Sequence, residues 1–351
     1  MKNNFPKFLL VGVMVFVTVV LGNSKTKSQE VIAKKEPPKP EIKLESASVT
    51  NNLIITTSSD FTSLIDESST SNVSEAIPNQ AVQSKSNIDP AQAKSEQTKF
   101  SFFKTQELDP PEIKVQAATV FDLQTDTAYF ELGGETRWPM ASLTKLMTAA
   151  LTIKNIDLNQ KVSLEAKDFE FPEGNGAELK VGEVFTADDL LKVMLGTSSN
   201  EAAEALAHTF GRENFITAMN EQAKAWDLNG TYFKDPTGIS VSNQSTVRDL
   251  KKLSEKIYEN YPKIFELTRK AKISIRDLST NRVFKFDNNN TLAGRADFLG
   301  GKTGHTDEAQ GNLISIFAYG RRPVGVIILG TDDRFGETES LFNWFKSSYR
   351  Y

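Results

Sequence analysis

Three short clusters in this chain place hydroxyl, amide and amine groups at spacings suited to acyl transfer: Ser142-Leu143-Thr144-Lys145, Ser198-Ser199-Asn200 and Lys302-Thr303-Gly304. Residues three apart on a helix share a face, so the Lys145 amine can reach the Ser142 hydroxyl and take its proton. A lysine acts as a base only when neutral, which calls for burial and for a neighbouring positive charge such as Lys302 to depress its pKa. With Ser142 at a helix N-terminus, its own backbone N–H faces a developing oxyanion. The backbone N–H of His305, directly after Lys-Thr-Gly, is the candidate second donor. Taken singly, each cluster has a plain structural reading: a helix N-cap at Ser142, a cap at Asn200, a turn at Lys302 to Gly304. Their order along the chain argues for one acyl-transfer site, with Ser142 as nucleophile and Lys145 as base.

The surrounding elements must bring these clusters together. Residues Val115 to Phe121 and Ala128 to Glu131 read as a hairpin, and Ser142 to Lys154 as a helix following the Trp138-Pro139 break. Thr186 with Asp189 three residues on predicts a capped helix through LLKVML, and helical patterns continue to about Asn260. The segments KISIRD, RVFKF, GNLISIFAYG and PVGVIILGT read as strands, and ETESLFNWFKSSY as a closing helix. This places the second cluster just after an apolar helix and the third just before a strand. A hairpin, a helical middle and a returning β segment predict an α/β (α+β) fold: an antiparallel sheet flanked by helices, with an inserted all-helical subdomain.

Composition narrows the chemistry further. The 351 residues carry 41 basic and 45 acidic side chains, a net charge of −4, which gives no basic field for nucleic acid. There is no cysteine, and the two histidines, His208 and His305, form no HExxH, so neither a thiolate nor a zinc hydrolase is indicated. No metal and no organic cofactor are expected. Lys2 and Lys7 flank the start of an apolar run from Phe8 to Leu21, about 20 Å long as a helix, which reads as an export signal or an uncleaved membrane anchor. From residue 23 to 108 the chain is polar and aperiodic, the composition of a disordered spacer. The expected organisation is residues 1–22 signal or anchor, 23–108 linker and 109–351 catalytic domain, acting outside the cytoplasm.

With the clusters go their flanks: RWPMASLTKLMTAAL, LLKVMLGTSSNEAAEALA, NGTYFKDPTGIS and GGKTGHTDEAQGNL. Together they resemble the low-molecular-weight penicillin-binding proteins of the D-alanyl-D-alanine carboxypeptidase family (peptidase family S11), over most of the chain from about Pro110 to the C-terminus. The resemblance implies a β-lactamase/DD-peptidase-like fold and a penicillin-sensitive enzyme that removes the terminal D-alanine from peptidoglycan stem peptides through a Ser142 acyl-enzyme. It implies that Ser198 relays a proton to the leaving D-alanine and that Asn200 orients the substrate amide and Lys145. Lys302 and Thr303 would hold the terminal carboxylate, with Arg282 and Arg334 as candidate arginines for the same group. The expected partners are peptidoglycan stem peptides, β-lactams as inhibitors, and the membrane if the N-terminus is uncleaved.

The chain departs from the family pattern in two places. Ser199 stands where many relatives carry glycine, which should narrow the cleft, and the family's frequent C-terminal β domain and amphipathic anchor are not expected here. Three alternatives share these residues: a DD-endopeptidase acting on cross-links, a class A-like β-lactamase, and a non-catalytic β-lactam sensor or wall binder. The β-lactamase alternative lacks the glutamate that such enzymes carry between the second and third clusters, since TYFKDPTGIS has none.

Overall fold

The computed structural model describes residues 101–170 and 178–351. The apolar run at residues 8–21 and most of the polar spacer lie outside them. Strand β1 (Phe103–Lys104) comes first, followed by the predicted hairpin, β2 (Ala117–Asp122) and β3 (Ala128–Leu132). Short β4 (Trp138–Pro139) leads into a 3-10 turn, η1 (Ala141–Thr144), and helix α1 (Lys145–Asn155). After β5 (Lys161–Ser163) and β6 (Val184–Thr186) come α2 (Ala187–Gly196), α3 (Asn200–Phe210) and α4 (Arg212–Ala225). Then follow β7 (Gln244–Ser245), α5 (Val247–Asn260), α6 (Lys263–Thr268), β8 (Lys272–Arg276) and β9 (Val283–Asp287). The long strands β10 (Phe298–Thr306), β11 (Gln310–Tyr319) and β12 (Arg322–Thr331) precede α7 (Arg334–Ser348) and the terminal β13 (Tyr349–Arg350).

The sheet takes strands from both ends of the domain, in the order β10-β11-β12-β2-β3, all pairs antiparallel. Alternation along β11 and β12 explains why both faces are covered. Leu313, Phe317, Val324, Val326 and Ile328 pack with Leu341, Phe342 and Phe345 of α7, whereas Ile314, Ile316, Ile327 and Leu329 join the core of helices α1 to α6. The antiparallel sheet with helices on both faces is therefore as expected. The insertion is helical but not wholly so, because β5–β6 and β8–β9 form two-stranded ribbons within it. KISIRD and RVFKF thus pair with each other and not with the sheet.

Two boundaries move. The Lys-Thr-Gly cluster lies inside β10, neither ahead of it nor in a turn; Gly300 and Gly301 let the strand pass Phe265 of α6 and Ile314 of β11. Ordered structure also begins before residue 109. β1 pairs with β13, and Phe102 is 5% exposed among the rings of Tyr129, Tyr319, Phe345 and Tyr351. Phe102→Ala in the full chain should cost about 3–5 kcal/mol, lowering the melting temperature by roughly 10 °C. Substitution of a spacer residue would leave it unchanged, and calorimetry distinguishes the two.

Candidate active site

The nucleophile candidate is presented by backbone geometry before any side chain acts. Ala141 has φ +48°, a left-handed value unusual for a residue with a Cβ, and it delivers Ser142 into the first turn of η1. Because side chains three apart eclipse one another in a 3-10 turn, Ser142 and Lys145 stack more directly than they would on an α-helix. Lys145 Nζ lies 3.1 Å from Ser142 Oγ. It also donates to Asn200 Oδ1 at 2.7 Å and to the Thr237 carbonyl at 2.7 Å.

That arrangement bears on the protonation state. A neutral amine keeps two N–H donors and one lone pair. The two short contacts take the donors, leaving the lone pair for the Ser142 hydroxyl. Burial lowers the Lys145 pKa to about 7, against the opposing influence of Asp235, Glu201 and Glu204. Lys302, equally buried, is held well below the usual lysine range by burial first, and then by Lys145 and Arg334.

The second cluster follows α2. Ser198 has φ +67°, and its strained position is braced by Asn289, which donates through its backbone N–H to Gly196 O at 2.9 Å and through its side chain to Thr197 O. Lys302 Nζ donates to Ser198 Oγ at 2.9 Å and to Thr303 O at 2.8 Å. Ser142 and Ser198 are half-buried, while Lys145, Asn200, Lys302 and Thr303 around them are buried. Two partly exposed hydroxyls are therefore each backed by a desolvated lysine. The Ser199 side chain does not narrow a cleft. It is fully buried with its hydroxyl turned into α3, accepting from Ala202 N at 3.0 Å and donating to Glu201 at 2.8 Å.

The third wall is β10, an edge strand, so the amides that do not pair with β11 face η1. Gly304 is the point of approach, since a Cβ there would stand 2.9 Å from Met140 O and 3.3 Å from Ser142 N. Arg334, the first residue of α7, donates to Gly304 O at 3.1 Å, and its Nε is buried without a hydrogen-bond partner. Arg282 does not join it. It precedes β9 in a turn held to Val184 by Asp277 and Leu278, at the N-terminal end of α2, with its guanidinium 4.4 Å over Phe284. The Ser198 loop lies beyond the other end of α2, about 15 Å along a ten-residue helix. His208, read from sequence as structural, pairs with Asp168 at 2.6 Å, and the His305 side chain is exposed.

Sequence reasoning missed the Thr237 carbonyl, the Asp235 carboxylate beneath it and the Asn289 brace. The Asp-Pro-Thr-Gly turn and the run Asn288-Asn289-Asn290 were the available signals, both typical of side chains that bond nearby backbone. Thr237 O follows from Gly238, whose φ of +90° and lack of a Cβ let the turn press against Ala141 O.

A profile of the family described as D-alanyl-D-alanine carboxypeptidase matches residues 104–333. The D-alanyl-D-alanine endopeptidase of Escherichia coli is 30% identical over 245 residues, covering 68% of this chain and 79% of that protein. The D-alanyl-D-alanine carboxypeptidase DacC of Escherichia coli is 29% identical over 265 residues, covering 70% and 64% respectively. A crystal structure of a D-alanyl-D-alanine carboxypeptidase from Mycobacterium tuberculosis superposes with a TM-score of 0.64 at 24% identity. It covers 70% of this chain and 95% of that one, which establishes a common fold.

Proposed function

Since the chain belongs to the D-alanyl-D-alanine carboxypeptidase family of serine peptidases, we propose that it cleaves ahead of the terminal D-alanine of peptidoglycan stem peptides through an acyl-enzyme on Ser142. The single observation that carries the residue assignment is the Lys145 amine, buried, shifted to about 7 and held by two acceptors with its third direction on Ser142 Oγ.

In the first step neutral Lys145 takes the Ser142 proton as Oγ attacks the carbonyl carbon, and the oxyanion forms against the backbone N–H groups of Ser142 and His305. As the intermediate collapses, the C–N bond breaks and the Ser198 hydroxyl, backed by Lys302, passes its proton to the departing D-alanine amine, while the proton held by Lys145 replaces it on Ser198 and leaves Lys145 neutral again. Water then adds to the ester carbonyl, giving its proton to Lys145, and Ser142 leaves with a proton. Asn200 orients Lys145 and the substrate amide. Lys302, Thr303 and Arg334 gather around the terminal carboxylate, and the unpaired Arg334 Nε–H supplies one donor.

β-Lactams acylate the same serine. Fast release of a penicilloyl group, as in class A β-lactamases, uses a carboxylate to activate water, and Asp235, the foremost carboxylate acting on Lys145, already accepts from five donors. Rapid turnover of nitrocefin would contradict this reading.

Arg334→Leu should lower kcat/KM for a free-acid peptide by about 10- to 100-fold, the worth of a charge-assisted hydrogen bond. A C-terminally amidated analogue, already poor, should lose much less, so the acid-to-amide preference shrinks. An unchanged preference would remove Arg334 from the carboxylate site.

The likeness to an endopeptidase favours a second reading, hydrolysis of cross-links by the same residues. Incubating the full chain with a monomeric pentapeptide stem and, separately, with a cross-linked dimer separates the two. D-Alanine release from the monomer at a rate above dimer cleavage supports the carboxypeptidase; dimer cleavage alone supports the endopeptidase. Action on the cell wall places the enzyme outside the cytoplasm, with the apolar run near the N-terminus proposed as its export signal or tether.

A further inference from the structure

We propose that Asp235 is a positioning residue for acylation, acting on Lys145 through the turn it builds and through its buried charge. The proposal rests on Lys145 being the base and adds what sets its place and its proton.

The turn is built from one carboxylate. Asp235 is 5% exposed. Its Oδ1 accepts from Thr237 N at 2.8 Å, Thr237 Oγ1 at 2.6 Å and Gly238 N at 2.7 Å. Its Oδ2 accepts from Ser240 N at 3.0 Å and Asn243 Nδ2 at 2.9 Å. All five partners are donors, and a carboxylate is the side chain that accepts on both branches. Asparagine in its place would turn an NH2 toward the Ser240 amide and the Asn243 amide nitrogen, donor against donor.

The turn so folded clasps α1 by two carbonyls. Thr148 Oγ1 donates to Pro236 O at 2.6 Å, one helical turn beyond the Lys145 bond to Thr237 O. Asn243, tied to Asp235, accepts from Lys234 N and Asp235 N, and its own carbonyl accepts from Met140 N just ahead of η1. One carboxylate thus fixes the approach to Ser142 and the acceptor on Lys145 together.

None of the hydrogen bonds described for Asp235 comes from a cation, so its charge is not cancelled at contact. The charged groups that face Lys145 are Asp235 from the turn, Glu201 and Glu204 from α3, and Lys302 from β10. Burial is the dominant influence on Lys145, and Asp235 is the foremost of the three carboxylates opposing it. Removing that charge makes the amine neutral at lower pH and also a weaker base.

The test is the pH dependence of fluorescent-penicillin acylation by the full chain, wild type against Asp235→Asn, with melting temperatures recorded. The wild-type rate should fall below about pH 7. In the variant that acid limb should move to lower pH by roughly half a unit or more, with the alkaline plateau about tenfold lower. A second variant, Asp235→Asn with Asn243→Asp, keeps one carboxylate and one amide across the same bond, and should recover melting temperature without recovering the wild-type limb. A folded variant whose limb stays at the wild-type position overturns the role of Asp235. A wild-type profile with no acid limb would instead retract Lys145 as the base.

Discussion

Replacing Ser142 with alanine should lower peptide hydrolysis by about 10⁴- to 10⁶-fold, the scale at which loss of a nucleophile removes a catalytic unit. Covalent β-lactam labelling should vanish with it. The side chain is half-buried, and the hydrogen bond described for its hydroxyl is the one shared with Lys145, so stability should change by about 1 kcal/mol or less. A melting temperature within a few degrees of wild type, beside lost activity, would show that chemistry and not folding was removed. Residual cleavage within tenfold of wild type would mean that another group attacks the carbonyl.

Lys145→Met is expected to produce the second-largest effect, a fall in acylation of about 10⁴-fold, at the upper end of what a positioned general base contributes. The accompanying pH behaviour is more diagnostic than the rate. Buried Lys145 has a pKa of about 7, so the wild-type enzyme gains its neutral base as pH rises through 7 and loses it as pH falls. Below that point the acylation rate should drop about tenfold per pH unit, and the variant should lack this limb. Methionine leaves Asn200 Oδ1 and Thr237 O without their Lys145 donor, a cost of about 1–3 kcal/mol for each. Against this, a buried amine no longer has to be desolvated. The variant should therefore fold, and stopped-flow labelling at pH 5 to 9 measures both expectations.

Much of this site is legible in the sequence because helical spacing and alternation are local rules. Three residues separate Ser142 from Lys145 whatever the tertiary fold. The β11 and β12 segments are apolar on both faces because helices cover both. What escaped was non-local or belonged to the backbone. Thr237 contributes a carbonyl, which every residue has, so only the folded turn reveals it. Phe102 and the strand after it sit in polar surroundings that read as spacer, and their partners lie at the far end of the chain. Lys302 to Gly304 have a plain reading as a turn until β10, passing Phe265 and Ile314 at Gly300 and Gly301, shows them in a strand. Arg282 and Arg334 were equivalent candidates until the β8–β9 ribbon carried one away and α7 brought the other to Gly304.

The central claim is that Ser142 becomes acylated, and the most direct measurement is peptide mapping by mass spectrometry of the full chain after a brief exposure to benzylpenicillin. One penicilloyl group per protein, on the peptide containing Ser142, is the predicted result. An adduct on a peptide that lacks Ser142, or none from a preparation that still hydrolyses stem peptide, would contradict the account.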